Sequence, residues 1–323
     1  MIYACGLWLW TLDPQLLTFM QLGFVSAILH DFSLDEVLAF AAAERYQCVE
    51  VMCWPAASGP GRKYGGVTHL DVGGMTPARA DDTIALCARH GVEFSALGYY
   101  GNALSEDADE AAATREHLKR VIDAAPLLGL STVNSFVGAH PKLPFEENFQ
   151  RFTQVWPDLV RYAEDRGVRI GIENCPMLFA NTWPFGVNLA RTPAIWRRMF
   201  EVIPSPSFGL NYDPSHLVMQ LIDPIEPIAE FSSRIFHTHA KDMRIDHDRL
   251  QNVGSLVPPM ERSTAKLPGS GEVDWAKWVG ALAAVQYNGP VCVEVEDESY
   301  TDTLEGRQQS LRISRDVLLP LIA

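Results

Sequence analysis

The sequence predicts an α/β fold, a closed (β/α)8 TIM barrel built as a single domain. Three observations predict it. Short apolar runs alternate with amphipathic helical stretches eight times along the chain. Gly91, Gly129 and Gly167, spaced 38 residues apart, each stand at a helix stop just before a strand begins, the regular tread of a βα repeat. No G-x-G-x-x-G follows any strand, which sets aside the open doubly wound sheet as the rival architecture.

Taken in order, residues 22–28 read as the first strand, and Ser33-Leu34-Asp35-Glu36 is a capping box opening a helix that runs to about residue 46. Residues 48–54 form strand two, and 56–74 a Gly- and Pro-rich insertion. A helix over 77–90 leads to strand three at 93–100, and a helix over 109–128 to strand four at 131–137. A helix over 145–166 precedes strand five at 169–173, and one over 191–202 precedes strand six at 208–212. A short helix at 225–232 leads to strand seven at 235–239, and a long loop covers 244–271. A helix at 274–286, strand eight at 291–295 and a last helix near 304–319 complete the pattern. Residues 1–19 are read as an N-terminal extension outside the fold, and 20–323 as the barrel.

Bulk properties exclude several classes of function. With 47% hydrophobic and 20% charged residues the chain is an ordinary globular protein. Its net charge of −14, with Lys and Arg scattered, opposes a nucleic-acid partner. Six cysteines contain no Cys-x-x-Cys pair, as expected of reduced thiols in a cytoplasmic protein. Residues 1–20 are apolar, but no Lys or Arg precedes Arg45 and Asp13-Pro14 interrupts the run, so neither a secretory signal nor a membrane span is expected. The same residues offer a contact arm for a homo-oligomer.

The chemistry gathers at strand ends. Strand six stops on Asp213-Pro214-Ser215-His216 and strand seven carries His237-Thr238-His239, whose two imidazoles share a strand face. The last polar residues of the later strands are Glu173, Asp213, His239 and Glu294, at intervals of 40, 26 and 55 residues. Four successive strands thus each bring one ligand to the carboxyl-end mouth, where barrels place their chemistry. Three carboxylates and one imidazole suit one divalent ion, Mn2+ foremost, with Mg2+, Co2+ or Zn2+ as alternatives. Glu294 and Glu296 lie on one face, and Glu294 is favoured as the ligand.

These residues carry a resemblance. Gly171-Ile172-Glu173-Asn174, Asn211-Tyr212-Asp213-Pro214-Ser215-His216, Phe236-His237-Thr238-His239-Ala240-Lys241-Asp242 and Val293-Glu294-Val295-Glu296-Asp297 resemble the xylose-isomerase-like superfamily, in particular its sugar phosphate isomerase/epimerase group. The similarity extends over roughly residues 20–320. It implies a metal held by Glu173, Asp213, His239 and Glu294, with both glutamates moving protons on opposite faces of a ketose. The expected activity is a metal-dependent isomerase or epimerase of a small sugar or sugar derivative, working through an enediolate. The alternative is a lyase or dehydratase acting on a keto-sugar or oxidised glycoside by the same chemistry. An apurinic-site endonuclease would need more histidines and a basic face, and a binding protein that has lost catalysis would not need both glutamates.

His216 and His237 are candidates to hydrogen-bond substrate oxygens, Lys241 to steady a charged intermediate or phosphate, and Trp54 and Trp183 to wall a sugar ring. Each has a plainer reading: His216 structural, His237 a satisfied strand histidine, Lys241 paired with Asp242 or a nearby acid, the aromatics core. Pro268-Gly269-Ser270-Gly271 lies where barrels often bind phosphate and is equally an ordinary loop. The other histidines show no ligand spacing and are expected on the surface or in loops.

Overall fold

Alternating apolar runs become eight parallel strands because each buries side chains on both faces, inward to the lumen and outward to a helix. The computed structural model describes residues 20–56, 65–179 and 181–322; the extension read at 1–19 and part of the 56–74 insertion lie outside these. The strands are β1 (Gln21–Val25), β2 (Cys48–Met52), β3 (Glu93–Gly98), β4 (Thr132–Ser135), β5 (Arg169–Glu173), β6 (Phe208–Tyr212) and β7 (Ile235–Ala240). After β8 (Asp242–Ile245) and β9 (Ser263–Lys266), β10 (Pro290–Val293) completes the barrel. Neighbours follow chain order, and β10 closes the ring against β1 through pairs such as Leu22 with Val291.

The helices start and stop where local chemistry directs. In α1 (Leu34–Ala43) the capping box forms in full: the Glu36 amide donates to Ser33 Oγ at 3.4 Å, and the Ser33 amide to Glu36 Oε2 at 2.7 Å. The helix α2 (Pro77–His90) opens with proline behind a Thr76 cap and stops at Gly91, φ +66°. Both α3 (Ala108–Leu127) and α4 (Phe145–Glu164) end just before left-handed Gly129 and Gly167, at φ +73° and +67°. Trp156 of α4, Trp196 of α5 (Pro193–Val202) and Trp278 of α9 (Trp275–Ala284) are among the largest fully buried side chains. Trp156 packs 5.9 Å from Phe208 and Trp196 5.9 Å from Tyr212, seating helices on the barrel.

The differences from the sequence expectation cluster at the carboxyl ends of strands. There β1 gives way to a 3-10 turn, Ser26–Leu29, and β2, β3, β4 and β10 each stop two residues early. The apolar residues just beyond them line a cavity instead of extending the sheet. A short helix, α6 (Ser215–Met219), follows β6 before α7 (Glu226–Phe231). The long loop is structured: β8 and β9 pair antiparallel around α8 (His247–Val253). After β10 come α10 (Glu298–Thr301) and α11 (Leu304–Ile322). Two bulges were not legible, one between β2 and β3 where Glu50 pairs with Ala96, the other between β6 and β7 where Asn211 pairs with His237.

Candidate metal centre

Strand ends place the four expected ligands around one mouth. Glu173 ends β5, Asp213 follows β6, His239 lies in β7 and Glu294 follows β10. Asn174 locks two of these ends together, accepting from the Asp213 amide at 2.7 Å and donating to the Asp213 carbonyl at 2.8 Å. The Ser215 amide donates to Asp213 Oδ1 at 2.8 Å, while the buried Oδ2 has no hydrogen-bond partner. His239 Nδ1 is also buried without one, 3.6 Å from Glu173 Oε1 and 3.5 Å from Glu294 Oε2.

Buried polar atoms are rarely left unpaired, because desolvation then goes uncompensated. Donor atoms of Glu173, Asp213, His216 and Glu294 all lie within 4.8 Å of one another. Asp213 Oδ2 accepts no hydrogen bond and meets only the charges of Lys241 and His216, at 3.3 and 3.4 Å, and unpartnered His239 Nδ1 borders the same carboxylates, so the residues fit a divalent cation. His216, expected as a substrate contact, is nearer the centre than foreseen: α6 brings its Nε2 to 3.3 Å from Glu173 Oε1 and 3.4 Å from Asp213 Oδ2. Glu294 belongs to the cluster; Glu296 reaches Lys241 instead, at 2.9 Å.

Lys241 follows its plainer reading, a pairing with nearby acids, though Asp242 is not among them. Its ammonium is buried 2.6 Å from Glu294 Oε2, 2.9 Å from Glu296 Oε2 and 3.3 Å from Asp213 Oδ2. Burial alone would lower its pKa, but the surrounding carboxylates raise it well above the ordinary lysine value. Burial likewise pushes Glu294 up, and Lys241 with His239 outweighs it, so this carboxyl sits well below its usual range. Asp242 instead accepts from the amides of Gly269, Gly271 and Val273 and from Trp275 Nε1, at 3.0 to 3.1 Å. The Gly-Ser-Gly loop therefore spends its two glycine amides on a carboxylate and its serine amide on the Leu267 carbonyl.

His237 fits its plainer reading as a satisfied strand histidine. Its Nδ1 lies 3.0 Å from Asn211 Oδ1 and its Nε2 3.0 Å from Ser95 Oγ, so both ring nitrogens are committed and none is left for a substrate oxygen. The bulge at β6–β7 sets that pairing by bringing Asn211 opposite His237. His117, expected at the surface, is buried on α3 and contacts the Cys53 carbonyl at 2.6 Å.

Above the cluster lies a cavity of about 140 Å³. Glu173, Glu294, Glu296 and Tyr100 face it on the polar side; Val25, Ala27, Ile28, Met52, Trp54, Phe136, Met177 and Val295 make an apolar wall. Trp54 is part of this lining. Trp183 does not: the loop after β5 supplies Met177 to the lining instead.

A second set of residues escaped the sequence reading. Glu50 on β2 is fully buried; its Oε2 lies 2.7 Å from His239 Nε2 and its Oε1 accepts the Tyr100 hydroxyl. The signal was present: a carboxylate at the centre of Cys48-Val49-Glu50-Val51-Met52 is a charge in an apolar run, rarely found without a partner. Gly98 on β3 makes room for it, since a Cβ there would lie 2.6 Å from Glu50 Oε1 and 2.2 Å from Met52 Cε.

Comparison with known proteins identifies the fold and the family. The uncharacterized protein YfiH of Bacillus subtilis (strain 168) is 25% identical over 312 residues, covering 86% of this chain and 93% of that protein. Inosose dehydratase of Clostridium tetani (strain Massachusetts / E88) is 27% identical over 156 residues, 48% of this chain and 51% of that enzyme, so the match spans about half its length. Among solved structures, IolI with a bound zinc atom superposes with a TM-score of 0.70 at 17% identity, over 94% of this chain and 98% of that one. D-psicose 3-epimerase of Clostridium cellulolyticum H10, solved with D-tagatose, superposes at 0.66 with 13% identity, over 94% and 99%. These structural likenesses show the fold. The sequence pattern of one family matches residues 38–318, nearly the whole barrel, and the chain belongs to that family, the xylose isomerase-like TIM barrels.

Proposed function

We propose that the protein is a divalent-metal-dependent isomerase or epimerase of a small sugar or sugar derivative, moving a proton next to a carbonyl. One observation carries the reading: Glu173 and Glu294, from strands on different sides of the mouth, face one cavity across a shared set of donor atoms. Glu173, Asp213, His239 and Glu294 would hold the ion, of which manganese is the expected identity. Bound there, a divalent cation supplies positive charge to a carbonyl and its neighbouring hydroxyl oxygen, making the C–H between them more acidic.

The chain's own groups then divide the work. One glutamate takes the proton as a carboxylate; the other returns it on the opposite face for epimerisation, or at the neighbouring carbon for isomerisation. Lys241 keeps Glu294 ionised for this. His216 Nε2, 3.3 Å from Glu173 Oε1, restrains that carboxylate and can share a substrate hydroxyl. Trp54 and the apolar wall pack against the C–H face of a ring and exclude water, so the enediolate is reprotonated by protein groups.

The second reading, a dehydratase, is favoured by the sequence match to inosose dehydratase. It begins with the same proton removal and ends with loss of a hydroxyl as water from the β carbon. Metal-loaded protein incubated with ketoses and keto-cyclitols in D2O separates the two by product mass. Unchanged composition with one deuterium at carbon indicates the isomerase or epimerase; loss of one water indicates the dehydratase. Glu173→Gln is expected to lower exchange by about 10²–10⁴-fold. Exchange in Glu173→Gln equal to wild type, or a purified protein that binds no divalent metal, sinks the proposal.

A further inference from the structure

Glu50 lies on β2, a strand that supplies none of the proposed ligands, yet its side chain is wholly buried beside one of them. We infer that Glu50 is the positioning residue of the metal centre: by accepting the Nε2 hydrogen of His239 it leaves the Nδ1 lone pair bare and aims it at the cation. The inference rests on the metal-dependent reading above and extends it to a residue that touches neither metal nor substrate.

The hydrogen's place follows from what each atom can do. A carboxylate only accepts, so the 2.7 Å contact between Glu50 Oε2 and His239 Nε2 requires the hydrogen on the imidazole. The Tyr100 hydroxyl donates to the other oxygen, fixing the carboxylate's orientation. In the neutral ring that a cation requires, Nδ1 is then without hydrogen, and it is the nitrogen that has no hydrogen-bond partner, 3.6 Å from Glu173 Oε1 and 3.5 Å from Glu294 Oε2. Asn211 gives the opposite instruction. Its amide nitrogen stands 2.9 Å from the same Nε2, and donation there would move the ring hydrogen to Nδ1 and close that nitrogen to a cation. The Glu50 contact is shorter and charge-assisted, and such bonds are roughly twice as strong as neutral ones. The carboxylate therefore decides the tautomer. Its place is built in: Gly98 gives room for Oε1 where any Cβ would collide.

The test uses the full-length protein, stripped with EDTA and titrated with Zn2+ by calorimetry, with nitrogen NMR of histidine-labelled protein in the zinc-loaded form. Glu50→Gln is expected to weaken zinc binding about 10–100-fold and to shift the Nε2–H signal of His239, while the metal-free protein still unfolds cooperatively. Glu50→Asp, which keeps the charge, is expected to recover part of the affinity. Zinc affinity and His239 signals in Glu50→Gln identical to wild type would overturn the role. If Glu50→Gln fails to fold, Tyr100→Phe carries the test: it frees one oxygen of Glu50, and unchanged zinc affinity there also overturns the role. Wild-type protein that takes up no zinc fails differently, removing the metal centre itself and the positioning role with it.

Discussion

Lys241→Met tests the charge balance of the centre. The ammonium is 1% exposed and lies 2.6 Å from Glu294, 2.9 Å from Glu296 and 3.3 Å from Asp213. At about 3 Å and an effective dielectric constant near 20, each such contact is worth roughly 5 kcal/mol before desolvation. Glu296 is discounted, since its side chain is 40% exposed. Methionine fills similar volume without charge, leaving Asp213 and Glu294 facing each other uncompensated; removing one partner of a buried pair costs about 3–5 kcal/mol. At about 2–4 °C per kcal/mol for larger domains, the metal-free variant should unfold roughly 10 °C below wild type. Differential scanning calorimetry of stripped protein at neutral pH reads this directly. Saturating Mn2+ should then narrow the gap, because the ion restores positive charge to the same oxygens. Equal unfolding temperatures without metal would show that these carboxylates are not held against the lysine. A gap that metal leaves unchanged would show that Asp213 and Glu294 do not grip the cation.

Further outcomes are expected. Trp54→Ala removes part of the apolar wall without touching the proton-transfer groups, so KM should rise about tenfold, the equivalent of about 1.4 kcal/mol, with kcat little changed. A fall in kcat with constant KM would place Trp54 elsewhere in the reaction. Ser33→Ala breaks the capping box of α1 and should cost about 0.5–2 kcal/mol in denaturant titration while zinc affinity stays as in wild type. No loss of stability would mean that the cap is replaced by solvent.

Much of the barrel was legible because its signals are local. The Ser33–Glu36 box and the left-handed Gly91, Gly129 and Gly167 act within a few residues of themselves, and each appears in the structure as expected. Strand ends were read too long at β1 and β2, since Ala27, Ile28 and Trp54 are apolar for the cavity's sake and not the sheet's. Apolar character records burial; it does not record what a side chain is buried against.

The sequence by itself determined the alternation that closes the ring and the polar residues with which Glu173, Asp213, His239 and Glu294 end or follow their strands, because chain spacing alone sets both. Only the tertiary structure decided how these groups are wired. Glu50 meets His239 across 189 residues of chain, Lys241 turns to Glu294 and not to adjacent Asp242, and a bulge hands His237 to Asn211. Glu50 reaches His239 from three places round the ring, and the other two pairings join strands that closure and register make neighbours, so no local pattern in the chain encodes them.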